Sequence, residues 1–159
     1  MRHRSIAVLS LSSVAALAGC GSSSISVPAA TVEPAVSIGG TAQSGQHALA
    51  GAHVYLFATA TSGYGHPSTS LLSGTATGSA DNIGAYVVTD ASGKFNISGG
   101  FTCTSATQVY LYVLGGDAGA GVNLGTGLLA ALGNCPTAGA APAVTVNEVS
   151  TVVAAYALA

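Results

Sequence analysis

Charged side chains are scarce in this sequence. Its 159 residues include three Lys or Arg and five Asp or Glu, for a net charge of −2. Arg2 and Arg4 lie at the N-terminus, so Lys94 is the only Lys or Arg that follows them. A surface that binds nucleic acid needs several cations to displace the counterions of the phosphate backbone. The composition therefore argues against nucleic acid as a partner, and against charge-driven binding to anionic lipid.

Low charge does not indicate disorder here. Disordered segments combine low hydrophobicity with high net charge, whereas apolar residues make up 49% of this chain. Glycine contributes 22 residues, which favours a neutral β protein with many turns. The chain is long enough for one domain with its own core.

The first twenty residues have the order of an export signal. A basic head at 2–4 precedes an uncharged apolar run at 6–17, which suits a signal-peptide core and is too short to span a bilayer. The run ends in Leu17-Ala18-Gly19-Cys20, and a serine-rich tract follows. This order resembles the lipobox of bacterial lipoproteins. The alternative is an ordinary secretory signal with a chance cysteine.

The lipobox resemblance implies that Cys20 carries the lipid. In that family the thiol receives a diacylglyceryl group, the chain is cut before the cysteine, and the new amine is acylated. Several acyl chains anchor a protein stably, whereas one chain does so only marginally. Gly21 and Ser22 stand where an aspartate would be the usual inner-membrane retention signal. We therefore expect an exported protein on the cell envelope, with the outer membrane favoured, facing the periplasm or the exterior.

The other two cysteines are predicted to pair. An exported chain meets oxidising conditions, so Cys103 and Cys135 indicate a disulfide. A metal pair is the weaker interpretation, because neither cysteine has a second cysteine or a histidine at ligand spacing.

The rest of the chain predicts strands first and helices later. Strands are expected where β-branched and aromatic residues alternate between turn signals, at 35–43, 52–58, 85–90, 94–99, 107–116 and 144–146. Both faces of 52–58 are largely apolar, so this strand is predicted to be central. In 107–116, Val109, Leu111 and Val113 form one face, and Tyr110 and Tyr112 the other.

Two segments predict helices. "GLLAALGN", residues 127–134, suits a short helical insertion with Leu128, Leu129 and Leu132 inward and Gly133 after its end. Residues 147–159 suit a C-terminal helix with Asn147 as its N-cap. Apolar residues recur there at i, i+3, i+4 and i+7, namely Val149, Val152, Val153 and Tyr156. This helix is expected either to pack back on the strands or to mark a truncated chain.

Three segments together carry a family resemblance: Ser37–Ala42, Leu49–Leu56 and Thr89–Phe95. Their order resembles carboxypeptidase regulatory-like domains, which share a transthyretin-like sandwich with collagen-adhesin B-type repeats. The resemblance covers about residues 36–114. It implies an all-β, Ig-like or transthyretin-like antiparallel β-sandwich that acts as an accessory domain without zinc ligands. The isopeptide bond of some adhesin repeats is not expected, because Lys94 follows the turn rather than lying in an opening strand.

The predicted organisation therefore has four parts. Residues 1–19 form a lipoprotein signal peptide, and 20–35 form a flexible tether rich in Ser, Pro and Ala. Residues 36–146 form the β-sandwich domain, and 147–159 form the C-terminal helix.

Catalytic and metal motifs are not evident in the sequence. There is no G-x-S-x-G and no H-x-x-x-H, since the histidines after the signal, His47, His53 and His66, are far apart. The glycine-rich stretch 115–125 lacks the third glycine of a dinucleotide fingerprint, because Leu124 takes its place. Oxygen ligands for Ca²⁺ are available at Asp81, Asn82 and Asp90, but without EF-hand spacing. We expect a non-enzymatic protein without cofactor or metal.

Tyrosines offer the remaining candidate site. Tyr55, Tyr110 and Tyr112 form a candidate binding face for a sugar or a protein partner, because exposed aromatic rings stack and anchor well. The alternative is cross-strand packing. We expect a lipid-anchored structural or interaction module, and the competing interpretation is a carbohydrate-binding accessory module of a larger exported enzyme or β-propeller protein.

Overall fold

A computed structural model describes residues 36–63, 65–136 and 143–159. The predicted signal peptide and tether, with Cys20, lie outside the described residues. The elements in chain order are β1 (Ser37–Ser44), β2 (His47–Ala48), β3 (His53–Ala58), β4 (Thr69–Ser70), α1 (Gly74–Thr77), β5 (Val87–Val88), β6 (Lys94–Ser98), β7 (Gln108–Leu114), β8 (Gly127–Asn134), β9 (Ala143–Val146) and α2 (Glu148–Ala157).

The strands form two sheets. In the first sheet, β1 pairs antiparallel with β2 and β6, and in parallel with β9. In the second sheet, β3 pairs along its whole length with β7, and β8 lies beyond β7. The short strands β4 and β5 pair with β3, so β3 is central, as predicted.

The two sheets share one hydrophobic core. Period-two alternation sends Val54 and Leu56 of β3 inward, into the same core as Phe95 and Ile97 of β6. Burial of each such side chain stabilises the fold by about 1.5–3 kcal/mol. The inward faces of β1, β7, β8 and β9 add Ile38, Ala42, Val109, Leu111, Val113, Leu128, Ala130 and Val146 to the core. The fold is therefore sandwich-like.

The parallel pairing of β1 with β9 differs from the fully antiparallel sandwich that the sequence predicts. Gly39 pairs with Ala143 and Ala42 with Val146. Parallel neighbours need a long crossover rather than a hairpin. Here the crossover contains the whole second sheet, so adjacent segments of the sequence give no sign of this pairing.

The predicted helix at 127–134 is wrong, because this segment is strand β8. Leu128 and Ala130 face the core, and Leu129 lies on the opposite side. Leu and Ala favour helices by only tenths of a kcal/mol per residue, and pairing with β7 from Gly127 to Asn134 outweighs that preference. The only helix that the described residues contain before α2 is the single turn α1, between β4 and β5.

A buried threonine joins two of the segments that carry the family resemblance. The Thr89 hydroxyl accepts a hydrogen bond from Ala52 N–H at 2.8 Å and donates one to Leu49 C=O at 2.6 Å. Gly51 N–H also donates to Thr89 C=O. These bonds hold the turn before β3 against the strand end that leads into residues 90–93.

The adjoining turn at residues 90–93 is built by Asp90. Its Oδ1 accepts hydrogen bonds from Ser92 and from the backbone N–H of Lys94, and these bonds lower the carboxyl pKa. Gly93 adopts a φ of +72°, which disfavours other residues. Turn chemistry therefore accounts for Asp90 without a metal.

Cys103 and Cys135 form a disulfide pair, as predicted. Their Cα atoms are 6.1 Å apart, and 32 positions separate them in sequence. Cys103 precedes β7 and Cys135 follows β8. The pair therefore fastens the open end of the β7–β8 hairpin, opposite its glycine-rich loop.

Candidate functional site

The outer face of the second sheet is aromatic. β3 contributes Tyr55 and Phe57, and the neighbouring β7 contributes Tyr112 and Tyr110. The ring centroids lie 5.9 Å apart for Tyr55 and Tyr112 and 5.6 Å apart for Phe57 and Tyr110. Such pairs add about 0.5–1.5 kcal/mol beyond area burial.

Only part of the predicted tyrosine face is open. Tyr55 is completely buried, so its ring has no surface on which a ligand can stack. Tyr110 and Tyr112 are half-buried. The candidate face is therefore narrower than the sequence predicts.

The hydroxyl of the buried Tyr55 joins a polar cluster. The hydroxyl donates to Asp81 Oδ2 at 2.6 Å. His53 Nδ1 lies 3.5 Å from the same oxygen, and its ring stacks on Tyr86 at a centroid distance of 3.7 Å. Asp81 Oδ1 accepts from the N–H of Ile83 at 2.9 Å. The cluster thus fastens the loop that contains Asp81 to β3.

The electrostatics of this cluster suit a structural role, which is to hold the loop that contains Asp81 against β3. Burial raises the pKa of Tyr55, and the hydrogen bond to Asp81 raises it further, so the phenol stays protonated as a donor at neutral pH. Partial desolvation acts to raise the pKa of Asp81, but the hydrogen bonds from Tyr55, Ile83 and Gly84 outweigh it and lower this pKa. An ionised acceptor beside a protonated donor holds the loop without proton transfer.

His53 and Asp81 meet in this cluster, but the other predicted histidines lie elsewhere. His47 lies on β2, His53 on β3 and His66 in the loop after β3. Asp81 belongs to the polar cluster around Tyr55, and Asp90 belongs to a separate turn. Among the residues that the structure describes, no group of three His, Cys, Asp or Glu side chains could hold a metal.

A cleft of about 410 Å³ opens beside Tyr110, within the size range of small-molecule sites. It lies between the loop after β3 and the end of α2. It combines an aromatic ring and two leucine side chains with hydroxyl and imidazole groups. The described lining residues are Thr59, Ala60, Gly63, Gly65, His66, Ser68, Tyr110, Leu129, Leu158 and Ala159, and none of these side chains is acidic or carries a permanent positive charge.

Helix α2 begins at the predicted N-cap. Asn147 Oδ1 accepts from Ser150 N–H, and the Ser150 hydroxyl accepts from Asn147 N–H, which is a reciprocal capping arrangement. The polar side of the helix then contacts the sheet. The Thr151 hydroxyl accepts from Leu129 N–H at 2.9 Å, and the Ser150 hydroxyl donates to Leu129 C=O at 2.8 Å. The helix thereby covers the free edge of β8.

The apolar stripe of α2 faces away from the domain. Val149 and Val152 are each 72% exposed, Val153 is 61% exposed and Tyr156 is 89% exposed. Ala154, on the opposite side, is buried. Periodicity finds the stripe but not its direction, because the helix is held by hydroxyl contacts that no apolar pattern reveals. Among the described residues, no helix is long and apolar enough to cross a membrane.

These features define a mostly-β domain of two packed sheets, with a disulfide-linked hairpin and a C-terminal helix. No family model, curated protein or solved structure matches this chain. The resemblance to carboxypeptidase regulatory-like domains therefore depends on the three sequence segments that carry it.

Proposed function

We propose that this chain is a non-catalytic, lipid-anchored exported protein that acts as a structural or interaction module at the bacterial cell envelope. The observation that supports an interaction role is the outward apolar stripe of α2. Contiguous apolar patches of this kind mark interaction surfaces on folded proteins. The domain itself is proposed to be a transthyretin-like sandwich, supported by the Thr89 and Asp90 turn contacts that join the resembling segments.

The lipid anchor is supported by the order of residues 2–22 and by the disulfide pair, which is typical of an oxidising compartment. We expect Cys20→Ser to abolish labelling with radioactive palmitate and to shift the protein out of the membrane fraction. The reason is that the thiol is the proposed site of diacylglyceryl attachment, and without acyl chains the protein remains an unacylated precursor or becomes soluble.

Ser22→Ala is the matched control, because it changes a neighbouring residue and keeps the thiol. It should retain both the label and the membrane fraction. Unchanged labelling and fractionation of the Cys20→Ser protein would refute the anchor.

A second candidate function is binding of a neutral sugar in the cleft beside Tyr110. The observation that favours it is the lining: the Tyr110 ring offers an apolar platform, and Thr59, His66 and Ser68 offer hydrogen-bonding groups.

We expect Tyr110→Ala to weaken glycan binding at least about fivefold, since loss of a stacked aromatic costs on the order of 1–3 kcal/mol. Glycan arrays find the ligand, and titration calorimetry measures the affinity. Tyr112→Ala is the matched control, because Tyr112 lies on the same strand but outside the cleft lining. Failure of the array to detect any glycan, or equal loss in both variants, counts against this function.

A further inference from the structure

The outward stripe of α2 forms one continuous surface, here called the α2 face: Val149, Val152, Val153 and Tyr156. At 100° per residue these side chains fall within an arc of about 100°. A surface helix normally turns such an arc towards its own core. Here Ser150 and Thr151 contact the sheet instead, so the arrangement is reversed.

The α2 face is held in place before any partner arrives. The reciprocal cap fixes the first turn. The Glu148 carboxylate accepts from the Ser44 hydroxyl at 3.0 Å and from Gly45 N–H at 2.9 Å, which ties the start of the helix to the first sheet. A surface ordered in advance loses little entropy on binding.

We propose that the α2 face is the contact surface of a homodimer, in which α2 of one copy packs antiparallel against α2 of a second copy about a two-fold axis. This inference rests on the proposed interaction function and names its partner. In a two-fold contact the same patch of the two copies meets. The patch must therefore not carry charges that repel each other across the axis.

The charges of the described residues favour a second copy over a lipid surface. The α2 face carries no charge, and Glu148, the only charged residue of α2, bonds away from it to Ser44 and Gly45. Two copies can therefore meet without like-charge repulsion. Helices that lie on membranes use Lys and Arg on their polar side, whereas Lys94 is the only Lys or Arg in the described part of the chain.

The size of the face suits a small dimer. Four side chains on one short helix form a small face, whereas specific interfaces bury about 1,000 Å² or more, so we expect a weak dimer. Val152 and Val153 lie in the middle of the face, where interface residues contribute most.

The test is sedimentation equilibrium of the full chain, purified in density-matched detergent at concentrations from about 1 to 100 μM. Wild-type protein should be dimeric at the upper end. Val152→Glu should weaken dimerisation at least about 30-fold, the factor for a central interface residue. Circular dichroism should show an unchanged fold, because Val152 is exposed.

Val122→Glu is the matched control. Val122 is also 71% exposed but lies in the loop between β7 and β8, so this variant should dimerise like wild type. Mixing Val152→Glu with Val152→Lys protein should restore dimers, because the opposite charges meet near the two-fold axis.

Three results would overturn the dimer: wild-type monomers at 100 μM, equal weakening by both glutamate variants, or a monomer that floats with neutral phosphatidylcholine vesicles through Val152. The Cys20→Ser protein should still dimerise. Loss of its acyl label and loss of the dimer are thus separate readouts for the anchor and for the α2 face.

Discussion

Gly40→Ala is expected to destabilise the domain by about 3 kcal/mol or more. A Cβ atom at Gly40 would overlap the carbonyl oxygen of Val144 and would lie 2.7 Å from Cζ of Phe95. The first atom belongs to the β9 backbone and the second to a buried ring. Neither can move without opening the β1–β9 pairing or the core. Urea unfolding followed by circular dichroism measures the loss.

Gly39→Ala is a matched control one residue away on the same strand. Its Cβ would have its nearest neighbours at 3.9 Å, so its stability should stay within about 0.5 kcal/mol of wild type. Equal midpoints for the two variants would contradict the close packing of β9 against β1.

Removal of the disulfide is expected to have an effect of similar size. Replacing Cys103 and Cys135 together by alanine should lower the free energy of unfolding by about 3–4 kcal/mol, because the bridge closes a loop across 32 positions in the unfolded chain. In the folded state the bridge acts locally, because it fastens the open end of the β7–β8 hairpin. Urea unfolding with and without dithiothreitol measures the change.

The double variant also supplies its own control. Dithiothreitol should lower the unfolding midpoint of wild-type protein towards that of the variant and leave the variant unchanged. A wild-type midpoint that is insensitive to reductant would contradict the bridge.

The strands with alternating burial could be predicted from sequence. Phe95 and Ile97 on β6, and Leu111 and Val113 on β7, are buried where period-two alternation places them. The central position of β3 followed from two apolar faces. These features depend on local patterns, because apolar and polar residues alternate along a half-buried strand as its side chains alternate between core and solvent.

Features that depend on distant partners could not be predicted. The segment 127–134 has helical composition, yet its pairing with β7 makes it a strand. The parallel contact between β1 and β9 joins chain segments that no local pattern connects. In both cases tertiary pairing outweighs small local preferences.

The candidate site was predicted only in part. Tyr110 and Tyr112 lie on the expected face. Tyr55 is buried, and its hydroxyl donates a hydrogen bond to Asp81. The spacing of 26 positions between these partners gives no sequence signal. The stripe of α2 was recognised, and its outward direction was not, because Ser150 and Thr151 decide which side of the helix meets β8.

Photo-crosslinking in intact cells tests the central claim most directly, because it reports the anchor and the α2 face in one molecule. A benzophenone amino acid at position 152 should give, after irradiation, an adduct of twice the chain mass that carries the acyl label. The same probe at position 122 should give none. Acyl-labelled protein that yields only monomers from position 152, or equal adducts from both positions, would contradict the account.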